Sequence, residues 1–273
     1  MLTNPRSERV RSVRRLAGRS ARARSGMFIA EGPQAVREAV ASGHAVDLYV
    51  TDDAAERHGD IITSAAQLRR PLVRRCTPQV IAEMADTVTP QGLLAVCTLV
   101  DLPLEQVFGG RPALVAALSR VQDPGNAGAV IRAADAAGAD AVVLTHESVD
   151  VYNPKCVRST AGSLFHLDIA TGSSLAELVE RARAAGLGVL AADGAGPVDL
   201  DDLQDAAARG RGPLSGPLMW VFGNEARGLS DTEAALADAV VRVPVHGRAE
   251  SLNLATAATV CLYASARARR GRG

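Results

Sequence analysis

The amino-acid sequence predicts an α/β protein with two domains, a smaller one followed by a larger one built on a parallel sheet. From residue 113 onward, apolar strand-like runs alternate with helical patterns, which is typical of a parallel sheet covered by helices. Residues 101–112 contain two prolines and the pair Gly109-Gly110, which indicate an interdomain linker. A chain of 273 residues is long enough for two ordinary domains. We therefore expect domains at 1–98 and 113–273, joined by a linker at 99–112.

The first domain has the pattern of a small α/β unit. Residues 28–32 predict a short strand that runs into a helix at 33–41, with proline at the start of the helix, where its missing N–H costs nothing. Residues 46–50 alternate like a strand. The turn Thr89-Pro-Gln-Gly92 precedes a buried-strand candidate at 93–97.

The second domain repeats a strand–helix rhythm from end to end. The predicted strands are 113–118, 140–145, 187–191, 218–222 and 240–243. The predicted helices are 127–137, 154–164, 174–185, 231–238 and 252–268. The fourth of these helices begins with a capping box, Ser230-Asp-Thr-Glu233.

The formal net charge is zero, but the charge is unevenly distributed along the chain. Residues 1–24 contain eight arginines and one acid, Glu8, which gives a net charge of +7 and leaves −7 for the remainder. A basic segment on an otherwise acidic chain is typical of a nucleic-acid contact. A solvated, partly disordered tail explains the charge equally well.

Composition excludes several classes of protein. Aromatic residues make up only 3% of the chain, which argues against a surface that stacks exposed bases on aromatic rings. The four cysteines, at positions 76, 97, 156 and 261, lack metal-binding or disulfide spacing, so we expect no metal site and a cytoplasmic location. The sequence has no signal-peptide pattern and no apolar run near 18 residues, so we expect no membrane span.

Three segments combine glycines with polar side chains beside apolar runs. They are Asp123-Pro-Gly-Asn-Ala-Gly-Ala-Val-Ile-Arg132, Phe222-Gly-Asn-Glu-Ala-Arg-Gly-Leu-Ser230 and Val243-Pro-Val-His-Gly-Arg-Ala-Glu-Ser-Leu-Asn-Leu-Ala255. The first and third lead into predicted helices, and the second follows a predicted strand. Polar residues at the ends of elements are where binding sites are usually built.

Taken singly, these polar residues have ordinary structural explanations. Asn126 is a plausible helix N-cap, and Arg132 is placed to form a surface ion pair with Asp135. Glu225 fits a solvated loop, and the segment 251–253 fits the cap and first turn of the last helix.

In order and spacing, the three segments together resemble the signature motifs of the SpoU/TrmH-type RNA 2'-O-ribose methyltransferases of the SPOUT superfamily. The resemblance implies a C-terminal SPOUT trefoil-knot domain with a parallel sheet, S-adenosylmethionine as cofactor, and a homodimer. The segments 22–32 and 89–96 resemble the RNA substrate-binding domain, with a ribosomal-protein-like α/β fold, that precedes many such catalytic domains.

The resemblance also implies roles for individual residues. The implied catalytic residues are Asn126, Arg132, Glu225, Ser251 and Asn253. The implied cofactor-binding residues, acting through their backbone, are Gly223, Val243 and Leu252. The expected RNA-binding residues are Arg14, Arg22, Arg24, Lys155 and Arg158, of which the last two belong to a further family-like segment, 153–162, and otherwise form a solvated helix face.

The sequence therefore predicts S-adenosylmethionine-dependent methyl transfer to a ribose 2'-hydroxyl in RNA, with 23S ribosomal RNA favoured by the separate N-terminal domain. The alternatives are a transfer-RNA ribose methyltransferase and a non-catalytic RNA-binding or ribosome assembly factor. A nicotinamide oxidoreductase is disfavoured because Gly194-Ala-Gly196 lacks the third glycine of a dinucleotide fingerprint. Housekeeping modification and antibiotic self-resistance are both compatible with the sequence. The resemblance implies that Arg132 activates the hydroxyl. An arginine side chain is almost always protonated and is a poor base, so an electrostatic clamp is the alternative role for Arg132.

Overall fold

The computed structural model of the protein describes residues 1–68 and 72–270. The chain divides into two compact units, which we call the first and second units. The first unit comprises Met1–Val100 and Asp150–His166, and the second comprises Asp101–Val149 and Leu167–Gly273. This division differs from the predicted one, because 150–166 was expected in the C-terminal domain.

The helices and strands are numbered in chain order. The α-helices are α1 (Glu8–Arg15), α2 (Arg19–Ser25), α3 (Pro33–Ala41), α4 (Asp52–Arg57), α5 (Gly59–Ala66), α6 (Pro78–Met84), α7 (Leu104–Gly109), α8 (Pro124–Ala136), α9 (Pro154–Thr160), α10 (Leu175–Ala184), α11 (Leu200–Ala208), α12 (Asp231–Ala234) and α13 (Leu254–Arg270). The strands are β1 (Met27–Glu31), β2 (Ala45–Val50), β3 (Leu72–Arg75), β4 (Leu93–Thr98), β5 (Leu114–Leu118), β6 (Ala141–Thr145), β7 (Asp168–Ser173), β8 (Gly188–Ala192), β9 (Val198–Asp199), β10 (Leu218–Phe222) and β11 (Ala239–Arg242). Most predicted elements occur within a few residues of their expected bounds. Strands β3, β7 and β9 and helices α1, α2, α4, α5, α6, α7 and α11 were not predicted.

The first unit is built on a four-stranded sheet in the order β1-β4-β2-β3. Strand β4 is antiparallel to both of its neighbours, whereas β2 and β3 are parallel. The segment 150–166 adds α9 and two aromatic rings to this unit. The ring of Phe28 lies 4.8 Å from that of Tyr152 and 5.9 Å from that of Phe165, measured between centroids. The Tyr152 hydroxyl also accepts a hydrogen bond from the Val100 N–H at 2.8 Å.

The basic N-terminal segment is folded, so the disordered-tail interpretation is wrong. Helix α1 begins at the N-cap Ser7, whose hydroxyl accepts a hydrogen bond from the Val10 N–H. Val10, Val13 and Leu16 are buried in a cluster that includes residues of α6. Their spacing of three places them on one face of the helix and leaves most of the arginines on the other.

The second unit is built on a seven-stranded parallel sheet in the order β7-β6-β5-β10-β8-β11-β9. Every residue of β5 and β10 is buried, as expected of strands covered on both faces. Trp220 on β10 is fully buried, and its indole N–H donates to the Ser265 hydroxyl on α13 at 2.9 Å. The sheet and the smaller N-terminal α/β part confirm the predicted fold class.

The predicted linker contains a helix that belongs to the second unit. In α7, Leu104, Val107 and Phe108 are buried in the core of that unit. Pro103 is the N-cap, and Gly110 ends the helix. The prolines and glycines that indicated a linker therefore mark the two ends of a short amphipathic helix.

Gly196, in the loop after β8, has a packing role. A Cβ atom at Gly196 would lie 2.8 Å from the Val240 carbonyl oxygen, so only glycine lets this loop pass against β11.

In residues 1–68 and 72–270, no helix is long and apolar enough to cross a membrane.

Candidate functional site

The three polar segments meet at one edge of the parallel sheet. The first follows β5, the second follows β10, and the third connects β11 to α13. Because the strands are parallel, their carboxyl ends lie at the same edge, where ligands of open α/β sheets usually bind. The residues that the motifs contribute are therefore brought together by the topology.

Side chains from all three segments are joined by hydrogen bonds. The Asn253 Nδ2 donates to Asn126 Oδ1 at 3.0 Å, and the Asn126 Nδ2 donates to Glu225 Oε1 at 3.3 Å. A carboxylate only accepts hydrogen bonds, so Glu225 determines which way the Asn126 amide faces. Three of the five predicted catalytic residues thus form one connected polar network.

Glu225 is held at the end of this network by the backbone of the first segment. Its carboxylate accepts the N–H of Gln122 at 3.1 Å and that of Asp123 at 2.9 Å. Partial burial by itself raises the pKa of Glu225, but the hydrogen bonds from Asp123, Gln122 and Asn126 outweigh it and lower the pKa below its ordinary value. The carboxylate therefore keeps its negative charge and its acceptor role under mildly acidic conditions.

Asn126 is not the cap of its helix, contrary to the structural explanation considered for it. Helix α8 begins at Pro124, and its N-cap is Asp123, whose side chain accepts the Asn126 N–H at 2.8 Å. Because Asp123 satisfies the helix end, the Asn126 side chain is available for the network.

Asn253 has two roles at once. Its Oδ1 accepts the Ala255 N–H at 2.9 Å, the hydrogen bond of a side chain that caps α13, while its Nδ2 binds Asn126. Ser251 was expected as the possible cap, but it lies outside the helix, two residues before Asn253, and is exposed. The structure therefore brings Asn253 into the network and leaves Ser251 on the adjoining loop.

The loop that carries Glu225 is closed by its own backbone. The Asn224 N–H donates to the Gly228 carbonyl at 3.1 Å, and the Gly228 N–H donates back at 2.9 Å. The Asn224 side chain accepts the N–H groups of Ala226 and Arg227, and its Nδ2 donates to the Arg120 carbonyl at 2.9 Å. Sequence analysis did not single out Asn224, although asparagine in a glycine-bounded loop is a known signal for such local hydrogen bonds.

Gly223 makes this loop possible. A Cβ atom at position 223 would lie 2.5 Å from the Gly228 carbonyl carbon and 2.7 Å from the Leu229 nitrogen. Gly228 has φ +63°, in the left-handed region that favours glycine. Gly223 is therefore required by the close approach of two backbone segments of the loop, and Gly228 is required by its left-handed conformation.

The predicted cofactor-binding positions have main-chain groups available for a ligand. Within the described parts of the chain, the N–H groups of Gly223, Val243 and Leu252 donate to no protein acceptor. An adenosine group is recognised well by such free main-chain donors and acceptors at the end of a sheet. The loop backbone at 223–228 and the segment 243–252 thus fit the chemistry expected of a S-adenosylmethionine site.

Arg132, like Ser251, is a predicted catalytic residue that lies outside the network. It lies on α8 six residues beyond Asn126, about 9 Å farther along the helix axis. Its side chain is exposed and forms no hydrogen bond or ion pair with any described residue, so the ion pair with Asp135 is excluded as its role. Its guanidinium is therefore free to bind a ligand.

A second carboxylate supports the same edge of the sheet. Glu233 accepts hydrogen bonds from the Ser119 hydroxyl at 2.7 Å and from Arg120, and it completes the predicted capping box with Ser230. Partial burial raises the pKa of Glu233, but these partners outweigh it and lower the pKa overall. Arg120, with φ +55°, is thereby fixed at the end of β5, where its carbonyl receives Asn224. Only the capping box was visible in the sequence.

The predicted RNA-binding residues all belong to the first unit and fall into different environments. Arg24 and Lys155 are exposed, and Arg14 is exposed in an ion pair with Glu83. Arg158 is half-buried and binds Asp86 at 2.9 Å. These four side chains lie at the surface of the unit.

The prediction that Arg22 binds RNA is wrong. It is 4% exposed, and its guanidinium donates to Asp150 at 2.6 Å and to the carbonyls of Leu16 and Ala17. A buried guanidinium with these partners cannot reach a phosphate, and it ties α2 to the segment 150–166. Sequence analysis missed this role because the partner Asp150 lies 128 residues away.

Both parts of the chain are similar to known families of proteins. Residues 113–263 match the SpoU rRNA Methylase family, and residues 7–95 match the MRM3-like substrate binding domain. The chain is 30% identical, over 96% of its length and 97% of the relative's, to the 23S rRNA (guanosine(2553)-2'-O)-methyltransferase RlmP of Bacillus subtilis. It is 32% identical to a 23S rRNA (uridine(2479)-2'-O)-methyltransferase of Streptomyces viridochromogenes, over 93% of its length and 87% of the relative's.

Solved structures show the same similarity over the whole chain. An rRNA methyltransferase from Sinorhizobium meliloti with bound S-adenosylmethionine is 31% identical and has a TM-score of 0.83, with 97% of each chain covered. The SpoU methyltransferase AviRb from Streptomyces viridochromogenes in complex with this cofactor is 29% identical, with a TM-score of 0.81 and coverage of 98% and 100%.

Proposed function

The chain belongs to the SpoU rRNA Methylase family, and from this premise we propose that it transfers the methyl group of S-adenosylmethionine to a ribose 2'-hydroxyl of ribosomal RNA. The observation that carries the proposal is the hydrogen-bonded network of Asn126, Glu225 and Asn253, which joins all three motif segments. The main-chain groups at 223, 243 and 252 lie on the same segments and provide the cofactor-binding surface.

The chemistry requires an aligned and activated hydroxyl, because an alcohol is a poor nucleophile near neutral pH. When bound, S-adenosylmethionine supplies a methyl group on a positively charged sulfur. The main-chain groups of Gly223, Val243 and Leu252 would hold it so that this methyl group passes to a ribose oxygen that has given up its proton to water. Glu225 fixes the Asn126 amide and, through it, Asn253, so this polar surface is ordered before the ribose arrives.

Arg132 serves the ribose side of the reaction. Its free, exposed guanidinium is available to bind the phosphate beside the target ribose and to lower the pKa of the hydroxyl. Because an arginine side chain stays protonated at ordinary pH, we favour this clamp over a direct base. Ser251, on the loop before α13, is a second polar group placed to contact the substrate.

The favoured substrate is 23S ribosomal RNA. Two relatives of similar identity are 23S rRNA methyltransferases, but one acts on a guanosine and the other on a uridine. Identity near 30% therefore supports the RNA class and not a particular nucleotide. A transfer-RNA substrate and a role in antibiotic self-resistance are alternatives for the same chemistry.

The first unit is the RNA-binding part of the protein. It matches a substrate-binding domain model, and it carries a surface depression lined by arginines 6, 11, 14 and 15. Exposed arginines attract the phosphate backbone without reading its sequence. Arg24 and Lys155 extend this basic character on the same unit.

The active form is a cytoplasmic homodimer with a trefoil knot in the second unit. Helix α13 buries one face in its own unit but exposes Val260 (38%) and Tyr263 (50%) on the other. These two positions are three residues apart and share a helix face, which supports α13 as part of the subunit interface.

The decisive test is to map 2'-O-methylated nucleotides in the RNA of cells that contain or lack this protein. One position in 23S rRNA should lose its methyl group when the protein is absent, and purified protein with cofactor should restore it. A transfer-RNA position would support the first alternative. RNA binding without any methyl transfer would support the assembly factor instead.

A further inference from the structure

The first unit contains a pocket that the methyl-transfer site does not use. It lies at the carboxyl end of β1, beneath the loop that joins α6 to β4, and its volume is about 100 Å³. This is smaller than the pockets of roughly 300 Å³ or more that bind drug-sized ligands, so it suits a single compact ring and not a larger molecule. Its walls are apolar side chains, namely Ile81, Ala85, Pro90, Leu93 and Leu94.

The polar lining of this pocket is a buried acceptor beside a half-buried donor. The Glu31 side chain is only 5% exposed, and its carboxylate accepts the N–H groups of Asp86 at 2.7 Å and Thr87 at 3.3 Å. A carboxylate has about four acceptor positions, so two remain after these bonds. Arg158 lies 3.7 Å from the carboxylate and uses one of its five N–H donors on Asp86.

Three further polar side chains line the pocket. They are Thr87, Thr89 and Gln91, at alternate positions of the loop between α6 and β4. They offer hydroxyl and amide groups to a ligand beside the buried carboxylate.

The charge of the surrounding surface indicates the class of ligand. Helix α1 packs against α6, and the depression lined by arginines 6, 11, 14 and 15 also includes Glu83, two residues before the pocket residue Ala85. A basic depression that adjoins a small, largely apolar pocket in the sequence fits a polyanion that inserts a planar group. Single-stranded RNA with an unstacked base has this chemistry.

We propose that this pocket binds one unstacked guanine of the RNA substrate, with Glu31 accepting hydrogen bonds from the base. Guanine offers two adjacent donors, N1–H and the 2-amino group, to a carboxylate. Uracil offers one donor flanked by two carbonyls, which a carboxylate repels. Arg158 and Gln91 also line the pocket and can supply hydrogen-bond donors to the base carbonyl, and the apolar walls can pack on its ring. The proposal rests on the proposed RNA substrate but assigns recognition to residues outside the methyl-transfer site.

The test compares short single-stranded RNAs in binding to the full-length protein by fluorescence anisotropy. The probes are an oligouridine, the same strand with one central guanine, and the same strand with inosine, which lacks the 2-amino group. Guanine should tighten binding by about five- to one-hundred-fold over uridine, as for other bidentate base contacts. Inosine should lose part of that gain. Equal binding of all three strands would overturn the proposal.

Variants assign the effect to the pocket. The guanine preference is the ratio of the affinities for the guanine-containing strand and the oligouridine. Glu31→Gln should bring this ratio close to one, and Gln91→Ala should reduce it severalfold. Gln79→Ala changes an exposed glutamine on α6 and should leave the ratio unchanged. If Glu31→Gln fails to fold by circular dichroism, Gln91→Ala decides, and an undiminished preference there contradicts the proposal. Guanosine monophosphate that binds as tightly as the strand would identify a free-nucleotide site instead.

The outcome is separable from that for methyl transfer. If the proposed function fails, the wild-type protein will methylate no RNA, whatever its guanine preference. If only the pocket assignment fails, methyl transfer will persist and the pocket variants will retain the wild-type KM for RNA.

Discussion

The side-chain amide of Asn253 donates to the side-chain oxygen of Asn126 at 3.0 Å, across 127 positions of the chain. The same Asn253 side chain accepts the N–H of Ala255 at the start of α13. The hydrogen bond therefore connects the beginning of the last helix to the first turn of α8. Substrate-side residues on these two helices are fixed relative to each other by this pair.

The Asn126–Asn253 pair leads to a prediction for Asn253→Ala. The variant loses both the helix cap and the link to Asn126, so it should be less stable by about 1 kcal/mol and should lose most methyl transfer. Asn253→Asp keeps the cap but cannot donate to Asn126. We expect it to retain near-wild-type stability in thermal unfolding and still to lose activity. Full activity in Asn253→Asp would remove the Asn126 contact from the mechanism.

Gly223→Ala should abolish S-adenosylmethionine binding. The new methyl group would lie 2.5 Å from the Gly228 carbonyl carbon, which forces the loop at 223–228 to open. Gly194→Ala is the matched control, because a Cβ atom there meets nothing within 4 Å. Calorimetry on the full-length proteins should show binding in the control only. Equal affinity in both variants would mean that the cofactor does not depend on this loop.

Arg132→Ala should remove methyl transfer while leaving cofactor affinity and stability nearly unchanged. The side chain is exposed and has no protein partner, so its loss should change the unfolding free energy by no more than about 0.5 kcal/mol. Arg132→Lys should restore little activity, because a point charge cannot reproduce a planar two-pronged donor. Methyl transfer at the wild-type rate in Arg132→Ala would exclude the proposed clamp.

The lowered pKa of Glu225 predicts a specific dependence of stability on pH. Partial burial opposes its charge, but hydrogen bonds lower its folded pKa below its ordinary value. The unfolded chain therefore binds a proton first as the pH falls. The stabilisation by Glu225 is complete above the ordinary pKa and is lost as the pH falls through the folded pKa. Denaturant unfolding of Glu225→Gln should show a shallower loss of stability over this acidic window, and a slope equal to wild type would contradict the assignment.

The folded state of the N-terminal segment determines how its RNA contacts should be tested. Deleting residues 1–24 would remove Val10 and its neighbours from the core of the first unit, so truncation cannot isolate the effect of charge. The double variant Arg11→Gln/Arg15→Gln changes exposed side chains only. It should weaken RNA binding and reduce the salt slope by up to about two. Arg57→Gln, whose partner is Asp53 on α4, is the control, and an unchanged salt slope in the double variant would exclude a phosphate contact.

The interface proposed on α13 predicts that Tyr263→Glu will be monomeric. Light scattering at micromolar concentration should give twice the chain mass for wild type and the single chain mass for the variant. Leu72→Glu changes a similarly exposed apolar residue, at 55%, in the first unit and should remain dimeric. A monomeric and fully active wild-type protein would contradict the dimer.

The sequence predicted elements best where burial is complete. Strand β10 has its predicted bounds, 218–222, because an uninterrupted apolar run of this length fits a strand covered on both faces. Helix α1 was missed because its arginines dominate the composition, although Val10 and Val13 already show the spacing of a buried face. Helix α7 was missed because proline and glycine mark helix ends as well as linkers.

The site was predictable only in part for a similar reason. The motif segments indicated Asn126, Glu225 and Asn253, and these residues do meet. The partner of Arg22 is Asp150, far along the chain, so no local pattern could reveal that this arginine is structural. Similarly, Glu233 gave a local capping signal, but its bonds to Ser119 and Arg120 depend on the neighbouring strand order.

Residues 150–166 belong to the first unit, and this constrains how the gene can recombine. The rings of Tyr152 and Phe165 cover Phe28, although they are encoded within the stretch that matches the methylase family model. A recombination breakpoint at 99–112 would separate these rings from the surface that they cover. The two parts of the gene are therefore constrained to diversify together, and chimaeras between relatives should express well only when 1–100 and 150–166 come from the same parent.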